Sequence, residues 1–427
     1  MLDFIVIGGG PGGSTAATLL ARKGYSVLLL EKEKFPRFQI GESLLPYNND
    51  IFKRLGVFEE IHAGGYYPKF GAEFLTADGS VSYTFRFERN LPSEYVQSFQ
   101  VRRATFDQFL LQKSVDSGVD VREQTTVTDV DRTDPNRVIV RAKDREGAVH
   151  EHTARFVLDA TGHGTVLGSG VKTMRESLKK VSFFAHYRGV KPSAEGKDSG
   201  NTVIAVLKNA WFWLIPISEE VTSVGLVVDR ELHMGSGLTP EQLLEKTIAD
   251  SPYVAERMRD AEQVTQVYAR KDFSYSVDEV IGPNFALIGD AAGFIDPIFS
   301  TGVFLAMKSA ELAADAADSR LRTGSMKELK RYRAMLQRGL NRYLGFITNF
   351  YRREFLEIFL QPAPHFGMLQ AIVGVLAGDV FERRRNRWKL VLFFALVRAQ
   401  RMFGVIAPKI AWDKLPEVRP AQEQAAA

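Results

Sequence analysis

The chain opens on an apolar, β-branched run, "DFIVI" at 3–7, and switches at once to "GGGPGG". A short continuous apolar run bounded by turn residues predicts a strand buried on both faces, as in a parallel sheet. The small-residue stretch "STAATLLARKG" follows and ends at Gly24, the pattern of a helix closed by glycine. A second apolar strand, "SVLLL", runs straight into Glu31. Further along, "FVLDATG" (156–162) reads as a strand entering a small-residue turn. "NFALIGDAAGFIDP" (284–297) reads as a strand ending at Gly289-Asp290 and then a helix start, and "VRRATFDQFLLQKS" (101–114) as a helix behind two arginines.

Elsewhere the period is two. In "WFWLIP" (211–216), Trp211, Trp213 and Ile215 point one way, and Phe212, Leu214 and Pro216 the other. Periodicity alone makes this a half-buried strand, with "TSVGLVVD" (222–229) as its hairpin partner across the polar "SEE" turn. From Leu329, apolar residues recur at 332, 336, 340, 343, 347 and 350, which marks one face of a helix that "QPAPHFG" then breaks. Polar "KPSAEGKDSGN" (191–201) reads as a loop tip and "RPAQEQAAA" as a frayed tail. Together these elements predict an α/β chain (α+β overall). A Rossmann-type nucleotide-binding domain (1–64, 101–170 and 271–320) is interleaved with a mixed β-sheet, substrate-facing domain (65–100 and 171–270). A helical C-terminal region (321–427) follows.

Composition narrows the chemistry. At 427 residues, 45% apolar and 25% charged, the chain is ordinary for a globular protein with two to three domain-sized units. It has no cysteine, which excludes disulfides, thiolate catalysis, Cys-ligated zinc and iron–sulfur clusters. Seven scattered histidines form no H-x-x-x-H pair, so no metal site is expected. The net charge of +4 is too mild to point to nucleic acid. The N-terminus lacks a basic n-region and a cleavable apolar core, and the longest apolar run, "LVLFFALV" (390–397), is far too short to span a bilayer. A cytoplasmic protein without a transmembrane segment is the expectation.

Gly8, Gly10 and Gly13 fit G-x-G-x-x-G between the first strand and first helix. In that context Gly8 permits the tight turn, Gly10 lets backbone approach a pyrophosphate, and Gly13 lets helix and strand pack closely. The helix N-terminus faces the phosphates, and Glu31 can accept from a ribose hydroxyl. No second such fingerprint opens a strand–helix unit, so a nicotinamide has no full domain here and reducing power must arrive by another route.

The fingerprint, with 101–114, 156–162 and 284–297, resembles the FAD-binding parts of flavoprotein monooxygenases of the hydroxybenzoate hydroxylase fold. That resemblance implies FAD, with Asp290 at its ribityl–pyrophosphate region and Arg103 along the cofactor. Trp211, Trp213, Ile215 and Pro216 match W-x-W-x-I-P, the signature of flavin-dependent halogenases. Core packing explains bulky residues equally well on periodicity alone. The family resemblance implies instead that both indoles stand beside the flavin and keep the organic substrate from it. "FPRFQIGESLLP" (35–46) is similar to a family segment that places Arg37 and the Gly41-Glu42-Ser43 turn near the flavin. "PKFGAEF" (68–74) resembles the region of the family's essential lysine, which maps to Lys69. "PIFSTGV" (297–303) resembles the loop at the flavin ring, from Pro297 onward, where Thr301 and Gly302 would hold chloride. Taken singly, Lys69 reads as a surface lysine, Glu42 as a partner for loop amides, and Thr301-Gly302 as a helix cap.

The landmarks cover about residues 1–305. Phe299 stands where tryptophan halogenases usually carry a glutamate, and the chain is shorter than theirs. It looks more like the phenol- and pyrrole-type enzymes, the chondrochloren and chloramphenicol halogenases among them, some of which act on carrier-protein-tethered substrates. The resemblance implies a two-component enzyme. A separate reductase supplies reduced FAD, O2 gives a flavin hydroperoxide, and chloride or bromide attacks it. The resulting hypohalous acid reaches Lys69, as a hydrogen-bonded species or a haloamine, and halogenates an electron-rich aromatic ring. An FAD hydroxylase or prenyl reductase of the same fold, or a flavin binder without halogenating turnover, remains open. The segment 383–401 carries seven Arg or Lys and no acid. It is expected either to dock an acidic partner such as a carrier protein, or to be a solvated helix face around "LVLFFALV".

Overall fold

The computed structural model describes residues 1–168, 172–362, 367–381 and 387–421. The chain forms two compact units, each assembled from three stretches.

The first unit comprises Met1–Gly64, Val101–Arg175 and Ser274–Leu340. Its parallel strands run in the order Asp120–Arg122, Val27–Leu30, Leu2–Ile7 and Val149–Asp159. Phe285–Leu287 pairs in parallel with the end of Val149–Asp159, whose first half pairs antiparallel with Val138–Lys143. Phe4, Ile5, Val6, Leu28 and Leu29 have almost no exposed surface, as expected of parallel strands covered on both faces. The fingerprint helix Pro11–Ala21 and the alanine-rich helix Gly302–Thr323 pack closely. The turn at Gly289 lies against the same long helix: its φ is +57°, and a Cβ there would lie 2.9 Å from Ala306 Cα.

That left-handed glycine also corrects one expectation. After Phe285–Leu287 the chain does not start an α-helix at Gly289-Asp290. It makes a 3-10 turn, Gly289–Ala291, a short strand, Gly293–Phe294, and a second 3-10 turn, Pro297–Phe299. The long helix begins only at Gly302. Backbone with positive φ at Gly289 and Gly293 cannot continue a right-handed helix.

The second unit comprises Gly65–Gln100, Glu176–Phe273 and Asn341–Ala427. Its sheet order is Lys172–Arg188, Val221–Asp229, Ala210–Pro216, Thr202–Val206, Gly71–Thr76 and Ser82–Arg86. The pairs are antiparallel except Thr202–Val206 with Gly71–Thr76. The hairpin read from the sequence is present, with Trp213 paired to Gly225 and Ile215 to Ser223. Ala210–Pro216 is buried on both faces, however, rather than half-buried. Phe212 and Leu214 join a core with Leu226, Leu243, Leu244 and Val254. The opposite face carries Trp211, Trp213 and Phe184, and on the same side of the sheet Phe74 stands edge-on to Phe350 and Phe359 at 6.1 and 5.0 Å.

The C-terminal region is helical. Lys327–Phe350 buries Leu329, Tyr332, Leu336, Tyr343, Ile347 and Phe350, the face that the spacing predicts, with Leu340 only half-buried. It ends before "QPAPHFG": Arg352 takes extended backbone, and a short helix, Arg353–Phe359, comes first. Residues 363–366 of that stretch lie outside the described residues. Arg387–Phe403 packs Phe393 against Phe346, stacked at 5.8 Å, and against Phe355. The "loop tip" at 191–201 is only half exposed. Its second half is a 3-10 turn, Gly196–Gly200, that buries Asp198 and Asn201. No helix among the described residues is long and apolar enough to cross a membrane.

Candidate active site

In the first unit, two fingerprint glycines are required by packing alone. Gly8 has φ +101°, and a Cβ there would lie 2.5 Å from the Ala160 carbonyl oxygen. At Gly13 a Cβ would lie 1.8 Å from the Gly8 carbonyl oxygen. Gly10 differs, because a Cβ there would meet only Arg37 Nη2, at an ordinary 3.4 Å. Gly10 is also the N-cap of Pro11–Ala21 and brings no side-chain acceptor to that helix end. Helix amides, partial positive charge and a nearby guanidinium make an anion cradle that a Cβ at Gly10 would begin to fill. Glu31 is buried at the end of its strand; Oε2 accepts from the Gly9 N–H at 2.6 Å and Oε1 from the Glu33 N–H at 2.8 Å.

Arg37 and Arg103 converge on a residue that the sequence reading missed, Asp107. Arg103 Nε and Nη2 donate to its two carboxylate oxygens at 2.7 and 2.8 Å, and Arg37 Nη1 stands 3.3 Å away. Arg103 Nη1 also donates to the Ile40 carbonyl, and Gly41, at φ +101°, leaves it room. Arg103 thus ties the 35–46 segment to the helix Arg103–Asp116, and two cations share one buried carboxylate. The i,i+4 spacing of Arg103 and Asp107 was the available signal. Asp159, in "LDATG", was missed too. Fully buried, it accepts from the Thr161 N–H and hydroxyl at 3.1 and 2.6 Å and from the Leu167 N–H at 2.8 Å, which braces the turn facing Gly8.

Asp290 sits at the turn after Phe285–Leu287, 3.7 Å from His163 Nδ1. Burial raises its carboxyl pKa, and the charges of His163 and Arg103 pull it back. Pro297 opens the following turn, with Asp296 accepting from the Ile298 N–H at 3.0 Å. Thr301 is buried at the N-cap position of Gly302–Thr323 but gives that helix no side-chain cap, and the first turn carries no acid. Gly302 faces open space. The simple capping role considered for Thr301 is therefore not the one its hydroxyl performs.

The second unit holds the other three candidates. Lys69 ends the strand Tyr67–Lys69, which pairs antiparallel with Ser98–Gln100. It is no surface lysine. Its relative exposure is 2%, and its Nζ lies 5.8 Å from the Phe87 ring centroid. Burial brings its pKa down to about 7. Trp211 and Trp213 are buried with ring centroids 6.0 Å apart. Trp211 Nε1 donates to Tyr351 Oη at 3.0 Å, and Trp213 Nε1 to Ser223 Oγ at 3.2 Å. Both indole donors are thus satisfied inside the unit. Lys180 completes the surround, bonded to Asp229 at 2.7 Å and set over the Tyr351 ring at 4.1 Å.

Comparison with known proteins bears on the family and the fold. The family model for tryptophan halogenase matches residues 3–96 and 88–355. The 1H-pyrrole-2-carbonyl-[peptidyl-carrier protein] chlorinase of Pseudomonas fluorescens is 32% identical over 409 residues, 90% of each chain. Among solved structures, a flavoprotein/dehydrogenase from Cytophaga hutchinsonii superimposes with a TM-score of 0.86 at 30% identity, over 94% of this chain and 99% of that one. The myxobacterial chondrochloren halogenase, an FAD-dependent enzyme, superimposes with a TM-score of 0.79 at 33% identity, over 94% and 90%. The chain belongs to the tryptophan halogenase family and is an FAD-dependent halogenase.

Proposed function

We propose that this enzyme chlorinates or brominates an electron-rich aromatic ring of phenol or pyrrole type, presented on a carrier protein, and that Lys69 delivers the halogen. The observation that carries this reading is a lysine with 2% exposure whose burial brings its pKa to about 7. An amine so placed is available in either protonation state near neutral pH. The carrier-bound substrate is supported by the pyrrole-carrier-protein chlorinase, similar over 90% of both chains.

When bound, reduced FAD would supply, with O2, the oxidising equivalent that converts halide to hypohalous acid; a separate reductase would provide it, and the cytoplasm is the compartment this reading expects. The first unit is the FAD domain. Gly8, Gly13 and Asp159 shape the turn, Gly10 and the helix N-terminus face the pyrophosphate, and Arg37 adds charge beside it. Glu31 has lone pairs beyond those given to Gly9 and Glu33 for a ribose hydroxyl. Arg103 acts through Asp107 and the Ile40 carbonyl, and Asp290 and Pro297 would border the cofactor. Thr301 and Gly302 hold the halide at an uncapped helix N-terminus whose partial charge favours anions.

The second unit is the substrate-facing part. Trp211 and Trp213 form an apolar wall whose polar atoms are already bonded, so it offers the oxidant nothing to hydrogen-bond. At Lys69 two roles are chemically distinct. As a neutral amine, its nitrogen attacks the halogen of hypohalous acid. An N–halogen bond forms, the O–halogen bond breaks, and the departing hydroxide takes the amine proton to leave as water. The ring carbon then takes the halogen, the ring proton is lost, and the amine is restored. As an ammonium, Lys69 instead donates a hydrogen bond to the hypohalous oxygen and polarises the bond. Position and exclusion of water are the protein's contribution.

Within Arg387–Phe403, Trp388, Val391, Ala395, Arg398 and Met402 form one exposed stripe. No Asp or Glu occurs from Arg387 to Pro408. A second copy of the chain would set cation against cation there, and Arg398 amid the stripe disfavours burial in lipid tails. An acidic carrier protein fits both features. Arg383, Arg384 and Arg385 lie outside the described residues. The test is mass spectrometry of reactions with reductase, halide and carrier-bound pyrrole or phenol. A gain of one halogen supports the reading. A gain of one oxygen makes the protein a hydroxylase, and neither makes it a flavin binder.

A further inference from the structure

We infer that Asn201 is a positioning residue for Lys69, and that the segment from Gly196 to Thr202 is the clamp through which it acts. The inference rests on the reading of Lys69 as the halogen-delivering group.

The strand bearing Lys69 cannot hold itself. It is a three-residue strand in a two-stranded ribbon, with Tyr67 opposite Gln100, Pro68 opposite Phe99 and Lys69 opposite Ser98. Such a ribbon has too few pairs for independent stability, and Pro68 has no N–H to give. Its support comes from the neighbouring segment. Tyr67 Oη and Ser199 Oγ are 3.1 Å apart, and Gln100 Nε2 donates to the Gly200 carbonyl and to Thr202 Oγ1, both at 2.9 Å. At Gly200 a Cβ would lie 1.9 Å from the Pro68 carbonyl oxygen, so the clamp backbone lies directly on the residue before Lys69.

Asn201 grips the residue after it. The Phe70 N–H donates to Asn201 Oδ1 at 3.1 Å. Asn201 is buried, and its own placement is over-determined. Its N–H donates to the Asp198 carbonyl at 3.0 Å, and its Nδ2 reaches Asp198 Oδ1 at 3.3 Å. Asp198 is fixed in turn by Arg86, with Nε at 2.8 Å and Nη2 at 2.7 Å from Oδ2. Arg86 pairs with Gly71, two residues beyond Lys69, which closes the circuit. Gly71 also leaves room for the amide: a Cβ there would stand 3.3 Å from Asn201 Nδ2. The backbone on both sides of Lys69 is therefore pinned by one turn, and no side chain of that turn need touch the amine. A displacement of about 1 Å in a reacting group costs on the order of 100-fold in rate, so such a brace is worth its cost in sequence.

The test compares Asn201→Ala, Asn201→Asp and Lys69→Ala in the full chain with FAD, reductase and halide. Three quantities are read together: halogenated substrate, halogenation of a small scavenger in bulk solution, and reoxidation of reduced flavin. Asn201→Ala should lower substrate halogenation about ten-fold or more, raise scavenger halogenation, and leave flavin reoxidation unchanged. Asn201→Asp keeps the acceptor for Phe70 but sets a second carboxylate against Asp198 Oδ1, 3.3 Å from the present Nδ2, so it should recover part of the loss only together with Asp198→Asn. The limb of the pH profile set by Lys69 should move toward the ordinary lysine value in Asn201→Ala, because a loosened ribbon admits water. Unchanged partition between substrate and scavenger, or an unshifted limb, overturns the positioning role even if the variant melts earlier. Lys69→Ala separates the two readings. If it still halogenates substrate, the lysine assignment fails. If it does not and Asn201→Ala behaves as parent, only the clamp fails.

Discussion

Gly225 lies directly across the sheet from Trp213, and a Cβ on it would come within 2.2 Å of the indole ring. The indole occupies the space that any other residue's side chain would need. Wall and glycine are therefore a matched pair, and the glycine is as much a part of the wall as the tryptophan.

Gly225→Ala should push Trp213 off its position and destabilise the second unit by about 1–3 kcal/mol, the usual cost of overpacking. Thermal unfolding measures it. Combining Gly225→Ala with Trp213→Ala should cost less than the sum of the two, since the second change removes what the first collides with. Strict additivity would show that the two residues do not share space.

Trp211→Ala with Trp213→Ala should lower halogenation while peroxide or hypohalous acid escapes into solution. Each indole removes roughly 150–250 Å² from water, so the double variant also loses stability and is best assayed well below its melting temperature. Halogenation at the parent rate would reduce both residues to core packing.

The fingerprint glycines separate into two kinds. Gly13→Ala forces a Cβ against the Gly8 carbonyl oxygen and should disrupt the strand–helix unit with or without FAD. Gly10→Ala meets only an ordinary contact with Arg37, so the fold should survive while FAD binds more weakly. Circular dichroism and flavin titration of the two variants distinguish these outcomes. Unaltered FAD affinity in folded Gly10→Ala would remove Gly10 from the cradle.

Much of this was legible in the sequence, and the rest was hidden for identifiable reasons. The helix face from Leu329 to Phe350 and the hairpin of Trp213 with Gly225 follow from periodicity, because one buried face imposes a fixed spacing. The 3-10 turns and short strand between Leu287 and Gly302 did not, since positive-φ glycines at 289 and 293 look like any small residues in sequence. Asp198 and Asn201 read as a loop tip because polar residues between strands usually face water; here each is satisfied by local partners and buried. Asp107 went unremarked in the sequence, because only the fold brings Arg37 onto it beside Arg103. Side-chain satisfaction is a tertiary property, and single-chain patterns do not carry it.

Lys69 should leave one pH signature on stability and another on activity. Its folded pKa of about 7 lies below the ordinary value of 10.5. Between those values the unfolded chain binds a proton that the folded chain does not, so this group's contribution to stability rises with pH across that window. Below pH 7 the buried ammonium costs its full amount, about 5 kcal/mol on this scale. Lys69→Met should therefore raise the melting temperature near neutral pH, with the gain shrinking toward pH 10. For turnover, a nucleophilic amine predicts a rate that rises through about pH 7, and an ammonium donor one that falls.

Reversal of charge on and beside the exposed stripe, Arg398→Glu with Arg401→Glu, should slow turnover of a carrier-bound substrate and leave a free analogue untouched. The difference should fade as salt is raised. Equal effects on both substrates would leave the stripe as a solvated helix face.

The central claim is that Lys69 delivers the halogen. Its most direct test measures halogenated product and reduced-flavin reoxidation in the same sample for parent, Lys69→Ala and Lys69→Arg. Free hypohalous acid is indiscriminate, and the chain has no cysteine to take the lysine's place. Lys69→Ala should form no regioselective product while binding FAD and reoxidising it at the parent rate. Lys69→Arg keeps the charge without the nucleophilic amine, so residual product from it would assign the hydrogen-bonding role. Regioselective product from Lys69→Ala would contradict the account.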